Sequence, residues 1–508
     1  VEGAFRGLGY KITAIPTPDV ESFQTGKEYG NNGQCNPTYF TVGNLVKYLQ
    51  DLEKKGMSKK EIVEKYVFVT PGACGPCRFG MYEAEYRLAL RNSGFDGFRV
   101  ILFQQTGGLN QSEMEAGLVM NMDFSLAVLN AFNMGDMFNG VGYQIRPYEV
   151  NKGETDKILQ KNLDLMHDVM KEKKGYETKG VVEKFLSSIG VNNTVNHIGK
   201  FLDQLYGKHY IDGLNTVRDN FNEIEVDRFR VKPVVKVTGE FWAQLTEGDG
   251  NYNMFRFLEE ENAEVLVEPI GTWIQYIMWQ YKSSIRDRKA ASNEEFSLPF
   301  WRLDKKLQSS IEYWTKVSKM TVAEKIFTSE YTKLQNAIGG TLHHLADQYE
   351  LQRLGHPYYN TASGGGEGHL EVAKNIYYSS KNLAHMVLSL KPFGCMPSTQ
   401  SDGAQAAVVE QYKDMIFLPV ETSGEGEINA HSRVQMALGS ARIKAKEEFS
   451  SALIKTGKNL DSMRSFVDAC PELKTPMYKV PTTKGVIGTA ANFVFHVSDL
   501  MDKKMANA

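Results

Sequence analysis

Twice along this chain, short β-branched runs alternate with longer amphipathic ones. Parallel strands need a crossover of a dozen or more residues between them, so this alternation restricts each stretch to a parallel α/β sheet. Over residues 1–150 the pattern reads strand 11–15, helix 38–55, strand 66–70, helix 79–93, strand 98–103 and helix 111–133. It resumes where Lys232-Pro233 leads into Val234-Val235-Lys236-Val237-Thr238-Gly239-Glu240. Helix 251–262, strand 264–267, helix 369–382, strand 386–390, helix 402–413 and strand 415–419 follow. The expected fold class is therefore α/β, with two parallel-sheet domains of the Rossmann or flavodoxin-like kind and large helical insertions. Residues 1–150 make the first domain and 231–440 the second, with a helical insertion at about 272–350. Residues 151–230 read as a helical connector and 441–508 as a mainly helical tail.

A chain of 508 residues is too long for one core and agrees with this division. With 42% apolar and 23% charged residues and a net charge of -3, it lacks the basic surface that nucleic acid or an acidic membrane would require. No apolar run reaches the ~18 residues of a membrane span, and no basic-then-apolar leader is present. The expected location is the cytoplasm. Val1-Glu2-Gly3-Ala4-Phe5-Arg6-Gly7-Leu8-Gly9 reads as the last turns of a helix, with no initiator Met, so the chain is expected to be a fragment of a longer polypeptide.

Four of the five cysteines sit in Gly/Pro-rich turns that open helices: Cys35, Cys74, Cys77 and Cys395. A thiolate there lies near free backbone N–H groups and the positive end of a helix dipole. Cys470 lacks this setting. Cys74, Cys77 and Cys395 also follow predicted strands, on the side where open parallel sheets bind ligands. A group held by both units would occupy the crevice between them, which Cys35 can also face.

Four readings compete. Cys74-Gly75-Pro76-Cys77 matches a thioredoxin-like dithiol, although Ala73 stands where a Trp is usual and Cys35 and Cys395 are left over. A zinc- or cluster-bearing assembly module would accept four thiolates, but structural zinc usually takes two close pairs and only one is present. Iron–sulfur ligation tolerates single cysteines from separate loops. Turn cysteines with no shared ligand are the fourth reading.

Weaker candidates lie nearby. Ser363-Gly364-Gly365-Gly366-Glu367-Gly368-His369 would cradle a phosphate or bring Glu367 and His369 to a substrate, and a plain flexible turn explains it as well. Ser398 and Asp402 would donate to a cluster or cap helix 402–413. The acidic turn Glu421–Glu427 reads as a helix start, and His343, His344 and His356 as solvated or core residues.

Several motifs add a resemblance: Phe5-Arg6-Gly7-Leu8-Gly9-Tyr10, Cys35-Asn36-Pro37 with Thr41-Val42-Gly43, Gly75-Pro76-Cys77-Arg78 with Tyr82, Gly239-Glu240 with Asn253 and Phe257-Leu258-Glu259, and Lys391-Pro392-Phe393-Gly394-Cys395-Met396-Pro397. In their order and spacing the chain resembles the iron–sulfur component of the 2-hydroxyacyl-CoA dehydratase and benzoyl-CoA reductase superfamily. The likeness is to the dehydratase-like part of the large fused activase-dehydratase proteins of anaerobes, and it covers most of residues 1–130 and 231–440.

The resemblance implies an oxygen-sensitive electron-transfer protein with oxidoreductase or lyase chemistry. It would hold a [4Fe-4S] cluster or a related double cluster, the latter requiring more cysteines than four. Electrons would come from an actin-like ATPase activase, separate or fused upstream, and go to a CoA thioester or onward, within a dimer or larger complex. The family's cysteines fall on Cys35, Cys77 and Cys395. Cys74 is an addition, and as fourth ligand it would close the iron that a three-cysteine site leaves open. No phosphate-binding loop of the G-x-x-x-x-G-K-[ST] type occurs, the nearest string being Thr456-Gly457-Lys458-Asn459, so ATP would act only through a partner or a missing domain.

Overall fold

In the computed structural model, the described residues are 1–72, 77–103, 122–173, 199–200, 203–204, 207–291 and 303–506. The first unit comprises helices Glu2–Gly7 (α1), Val20–Tyr29 (α2), Asn36–Lys54 (α3) and Lys59–Lys65 (α4), strand Val67–Pro71 (β1), helix Tyr82–Asn92 (α5) and strand Arg99–Phe103 (β2). β1 and β2 pair in parallel, from Val67 opposite Arg99 to Pro71 opposite Phe103. Leu45, Val46 and Leu49 of α3 share a core with Ile62, Tyr86, Ala89, Leu90, Phe95 and Phe98.

Two helices absent from the sequence expectations have local causes. Asp19 with Ser22 and Ser58 with Glu61 form reciprocal capping boxes that start α2 and α4. α2 and α3 then meet backbone to backbone, since a Cβ on Gly43 would lie 1.8 Å from Ser22 O and one on Gly26 1.9 Å from Tyr39 O. This contact fixes the N-terminal half of α3, and with it Cys35. The expected strand 11–15 does not form: residues 10–19 have no regular structure. Pro16 and Pro18 remove ladder donors. The segment is held by side chains instead, Asn44 donating to Pro16 O at 2.7 Å and Glu2 accepting from Ala14 N.

The second unit is a four-stranded parallel sheet in the order β4-β3-β5-β6, built from Val234–Gly239 (β3), Glu264–Leu266 (β4), Met386–Pro392 (β5) and Phe417–Thr422 (β6). β3 and β5 are buried along their whole length, as expected of strands covered on both faces. Helices Phe241–Leu245 (α9), Met254–Glu260 (α10), Gly368–Ser380 (α14), Met396–Gln411 (α15) and Glu427–Thr456 (α16) cross between or follow these strands. α15 begins at Met396 and not at 402 as expected, because Pro397 occupies an early helical position where its missing N–H costs nothing.

Helices Met122–Ile145 (α6), Glu154–Glu172 (α7), His209–Phe221 (α8) and Leu303–Ala337 (α12) pack around one core containing Met137, Val141, Met166, Leu214, Tyr331 and Leu334. The expected connector and the expected insertion therefore bury their apolar faces against each other. Asp136 of α6 accepts from Ile270 N at 2.7 Å and Gly271 N at 2.8 Å, capping Ile270–Ala291 (α11). Helix Gln348–Gly355 (α13) packs on α14, and Leu460–Asp468 (α17) with Thr489–Ala506 (α18) form the tail core. Among the described residues no helix is long and apolar enough to cross a membrane.

Candidate metal centre

Cys35 and Cys395 are the N-cap residues of α3 and α15, and the two sequences share one plan. Cys35-Asn36-Pro37-Thr38 and Cys395-Met396-Pro397-Ser398 each have a thiol at the cap, a proline at the second helical position and a hydroxyl at the third. In the first, Thr38 Oγ1 lies 3.2 Å from the Cys35 sulfur, whereas in the second the Ser398 hydroxyl is turned to Glu371 Oε1 at 2.7 Å. Two helices, of 19 and 16 residues, thus turn their positive ends toward the same region. Cys77 precedes a single 3-10 turn, Arg78–Met81.

The three turns are in contact. Asn36 N donates to Phe393 O at 3.0 Å, joining the Cys35 turn to the Cys395 turn. Gly394, at φ +77, lies so close that a Cβ would stand 3.3 Å from Cys35 Cα. Cys77 N donates to Gly365 O at 3.1 Å, and a Cβ on Gly366 would lie 2.4 Å from Pro397 Cγ and 3.7 Å from Cys77 Cβ. The Gly364-Gly365-Gly366 segment therefore sits between the Cys77 and Cys395 turns, where side chains would not fit. Cys74 lies outside the described residues.

Cys35 Sγ is 3.0 Å from Tyr82 OH and 3.2 Å from Thr38 Oγ1. Burial pushes all three thiols up, Cys77 to about 12 and Cys395 further still. The acidic side chains around them add to the effect: Glu240 acts on all three, Glu367 on Cys77 and Glu371 on Cys395. Glu240 follows β3, accepts from Ala243 N at 3.0 Å and caps α9. Burial and mutual repulsion push Glu240 and Glu367 well above the ordinary carboxylate range.

Glu371 of α14 is buried beneath the Cys395 turn. It accepts from Ser398 Oγ at 2.7 Å and from Ser401 Oγ, and Lys391 stands 3.7 Å away. Lys391 pairs in turn with Asp402, so Asp402 is an ion-pair partner one turn inside α15 and not a cap. Behind β3, Lys236 pairs with Glu268 at 2.6 Å, with Lys374 at 3.8 Å from the same carboxylate, and all three are buried. The two cations hold Glu268 down at about 2 against its burial.

Of the residues singled out from sequence, Cys35, Cys77, Cys395, Glu367 and Ser398 are brought to one region. His369 is fully buried with its ring 5.5 Å from Tyr276 and 5.4 Å from Trp279, and among the described residues neither ring nitrogen has a hydrogen-bond partner. Glu421 and Glu425 are exposed, and Glu425 faces Lys27. His343, His344 and His356 are exposed. The sequence singled out neither Thr38 nor Glu371, and it offered Tyr82, Glu240 and Lys391 only within motifs, with no role at the site. The repeated C-x-P-[ST] string was the available signal for Thr38 and for the equivalence of the two turns.

A thiolate-held cluster fits this donor set. The soft ligands come from three separate turns, helix N-termini face the site, and the buried Nδ2 of Asn36, next to Cys35, has no partner among the described residues. As the chain stands, no group of three or more His, Cys, Asp or Glu among the described residues is arranged to hold a metal ion. Beside α3, a cleft of about 450 Å³ is lined by Pro16, Thr41, Thr70, Tyr86, Trp242 and Glu247 among others. Its Tyr86 lies one turn along α5 from Tyr82, which touches Cys35. Comparison with protein-family models, curated proteins and solved structures returns no match.

Proposed function

We propose that this chain is the iron–sulfur protein of an ATP-dependent low-potential electron-transfer system, taking electrons from an activase ATPase. It would deliver them to a difficult reduction or dehydration, of CoA-thioester type on the resemblance of its motifs, or relay them onward. Cys35, Cys77 and Cys395 would hold a [4Fe-4S] cluster, with Cys74 as fourth ligand. The observation that carries the reading is the contact of three cysteine turns across the two units, two of them with the thiol at the N-terminus of a long helix.

The bound cluster supplies one-electron chemistry at low potential. The chain's own residues do the rest. Thr38 and Tyr82, 3.2 and 3.0 Å from the Cys35 sulfur, would donate hydrogen bonds to it once its proton leaves. Glu240 and Glu367 place carboxyl groups, both raised toward their protonated forms, beside the sulfurs. Trp242 and Tyr86 line the cleft that would receive the acyl part of an acceptor. Among the described residues its one charged lining residue, Glu247, is acidic, so an anionic nucleotide tail would stay outside it.

Anaerobic purification followed by iron, acid-labile sulfide and zinc analysis tests this reading. Iron with matching sulfide, lost together in Cys35→Ser and Cys395→Ser variants, is the expected result. One equivalent of zinc without sulfide would overturn it.

A further inference from the structure

We infer that the cleft beside α3 selects a ligand carrying a positive charge on an apolar body, an alkyl- or arylammonium group, and that Glu247 is the residue that recognises the charge. This inference rests on the reading of that cleft as an acceptor site and makes no use of the cluster.

Both units build the cleft. The first supplies the 15–18 segment, Thr41 of α3, Thr70 of β1 and Tyr86 of α5, and the second supplies Trp242 of α9 and Glu247 just beyond it. At about 450 Å³ the space falls within the ~300–1,000 Å³ usual for small organic ligands. Contacts between the units hold its walls. Asp249 accepts from Val20 N at 2.9 Å, a Cβ on Gly248 would lie 3.2 Å from Thr17 Cγ2, and Asn44 donates to Pro16 O at 2.7 Å.

The body of a ligand would meet aromatic surface. Phe68, Tyr86 and Trp242 all line the cleft, the Phe68 and Tyr86 rings being 5.0 Å apart and Trp242 backed by Phe40 at 5.4 Å. Such rings attract organic cations as well as apolar groups.

The charge has one reader. Glu247 is the one charged side chain among the described residues that line the cleft, and buried Tyr143 of α6 fixes it by donating to Oε1 at 2.6 Å. The cations close to this side are already committed. Arg146, whose guanidinium lies 5.4 Å from the Tyr143 ring, is held by Glu259 and Asp156, each at 2.9 Å. Lys47, one turn along α3 from Asn44, pairs with Asp19 at 2.7 Å and Glu21 at 2.5 Å. Hydrogen bonding points the same way. Thr41 donates its hydroxyl proton to Pro37 O at 2.9 Å and Thr70 donates to Pro71 O at 3.3 Å, so each has only lone pairs left for a ligand. A carboxylate, spare lone pairs and aromatic walls together suit a cation that donates N–H bonds and oppose an anion.

The test uses the purified chain at neutral pH and three probes that share one body: phenylbutylammonium, phenylbutanol and phenylbutyrate, each followed by isothermal titration calorimetry. The ammonium is expected to bind at least tenfold more tightly than the alcohol, and the carboxylate more weakly than both. Glu247→Gln, whose amide oxygen can still accept from Tyr143, is expected to keep the affinity for the alcohol and to bring the ammonium within twofold of it. Equal affinities for ammonium and alcohol in the wild type would overturn the inference while leaving the cleft as an acceptor site. Binding of none of the three would remove that reading as well. A tenfold preference surviving in Glu247→Gln would also overturn the inference, and if the variant does not fold, the wild-type comparison alone decides. Iron and sulfide are measured on the same preparation, and their presence or absence bears on the cluster reading alone.

Discussion

Replacing Gly366 with alanine should separate the Cys77 and Cys395 turns, and the structure supplies both the size of the effect and its control. Gly366 has φ +139, and an added Cβ would lie 2.4 Å from Pro397 Cγ and 3.0 Å from Pro397 Cβ. Pro397 cannot swing aside, because its ring is closed onto the backbone at the start of α15. Gly426, in the same unit, has φ +93 with nothing closer than Tyr252 OH at 4.0 Å. Gly426→Ala therefore measures backbone strain alone, about 1–2 kcal/mol. Gly366→Ala adds an overpacking cost of about 1–3 kcal/mol. Urea unfolding followed by tryptophan fluorescence reads the second unit, where Trp242, Trp273 and Trp279 are clustered near α9 and α11. Gly366→Ala should lose clearly more stability than Gly426→Ala and should also lose metal. Equal losses within about 0.5 kcal/mol would show that the turns give way freely, and would refute the account of Gly366 as the spacer between them.

Three further outcomes are expected. Tyr82→Phe removes the hydroxyl that supports a Cys35 thiolate, so the onset of Cys35 alkylation should move to higher pH, read by mass spectrometry of the labelled peptide. Glu240 and Glu367 bind protons more tightly folded than unfolded, so stability should fall as pH rises above the ordinary carboxylate range, by about 1.4 kcal/mol per unit and group until each ionises in the folded state. Glu240→Gln should flatten the high-pH side of a denaturation series. Glu268 has the opposite sign: held at about 2, its contribution should be complete above its ordinary value of 4.5 and be lost as pH falls from there toward 2. Lys236→Met, which strips a partner from that buried carboxylate, should cost about 3–5 kcal/mol in urea unfolding, and a loss under 1 kcal/mol would mean that Lys374 suffices.

The alternation of strand and helix was legible because the buried parallel strands, such as Val234–Gly239 and Met386–Pro392, are short and rich in Val, Leu and Met, although each also buries a lysine. The thiol turns were legible because Gly and Pro mark positions with special backbone geometry. Other features depend on partners distant in sequence. Residues 11–15 have the composition of a strand, but a strand needs a neighbour, and here Asn44 and Glu2 hold the backbone instead. α2 was obscured by its weak apolar pattern, and its place depends on Gly43 in the next helix. Glu371 and Lys391 look like ordinary charged residues until the fold buries them. His369 and Glu367 were visible as a motif, but local sequence does not distinguish the buried ring of the one from the carboxyl of the other beside Cys77.

The hydrogen bond from Asn36 N to Phe393 O has a consequence in time. Its ends are about 360 residues apart, so at ~5–20 residues per second the ribosome needs roughly 20–70 s between making the first and the second. During that interval the first unit can fold around α3 while Cys35 and Cys77 have no opposing turn. A centre shared by these turns, as proposed, would be loaded only once the Cys395 turn is in place, and until then the Cys35 and Cys77 thiols would stand open to zinc and to oxidants.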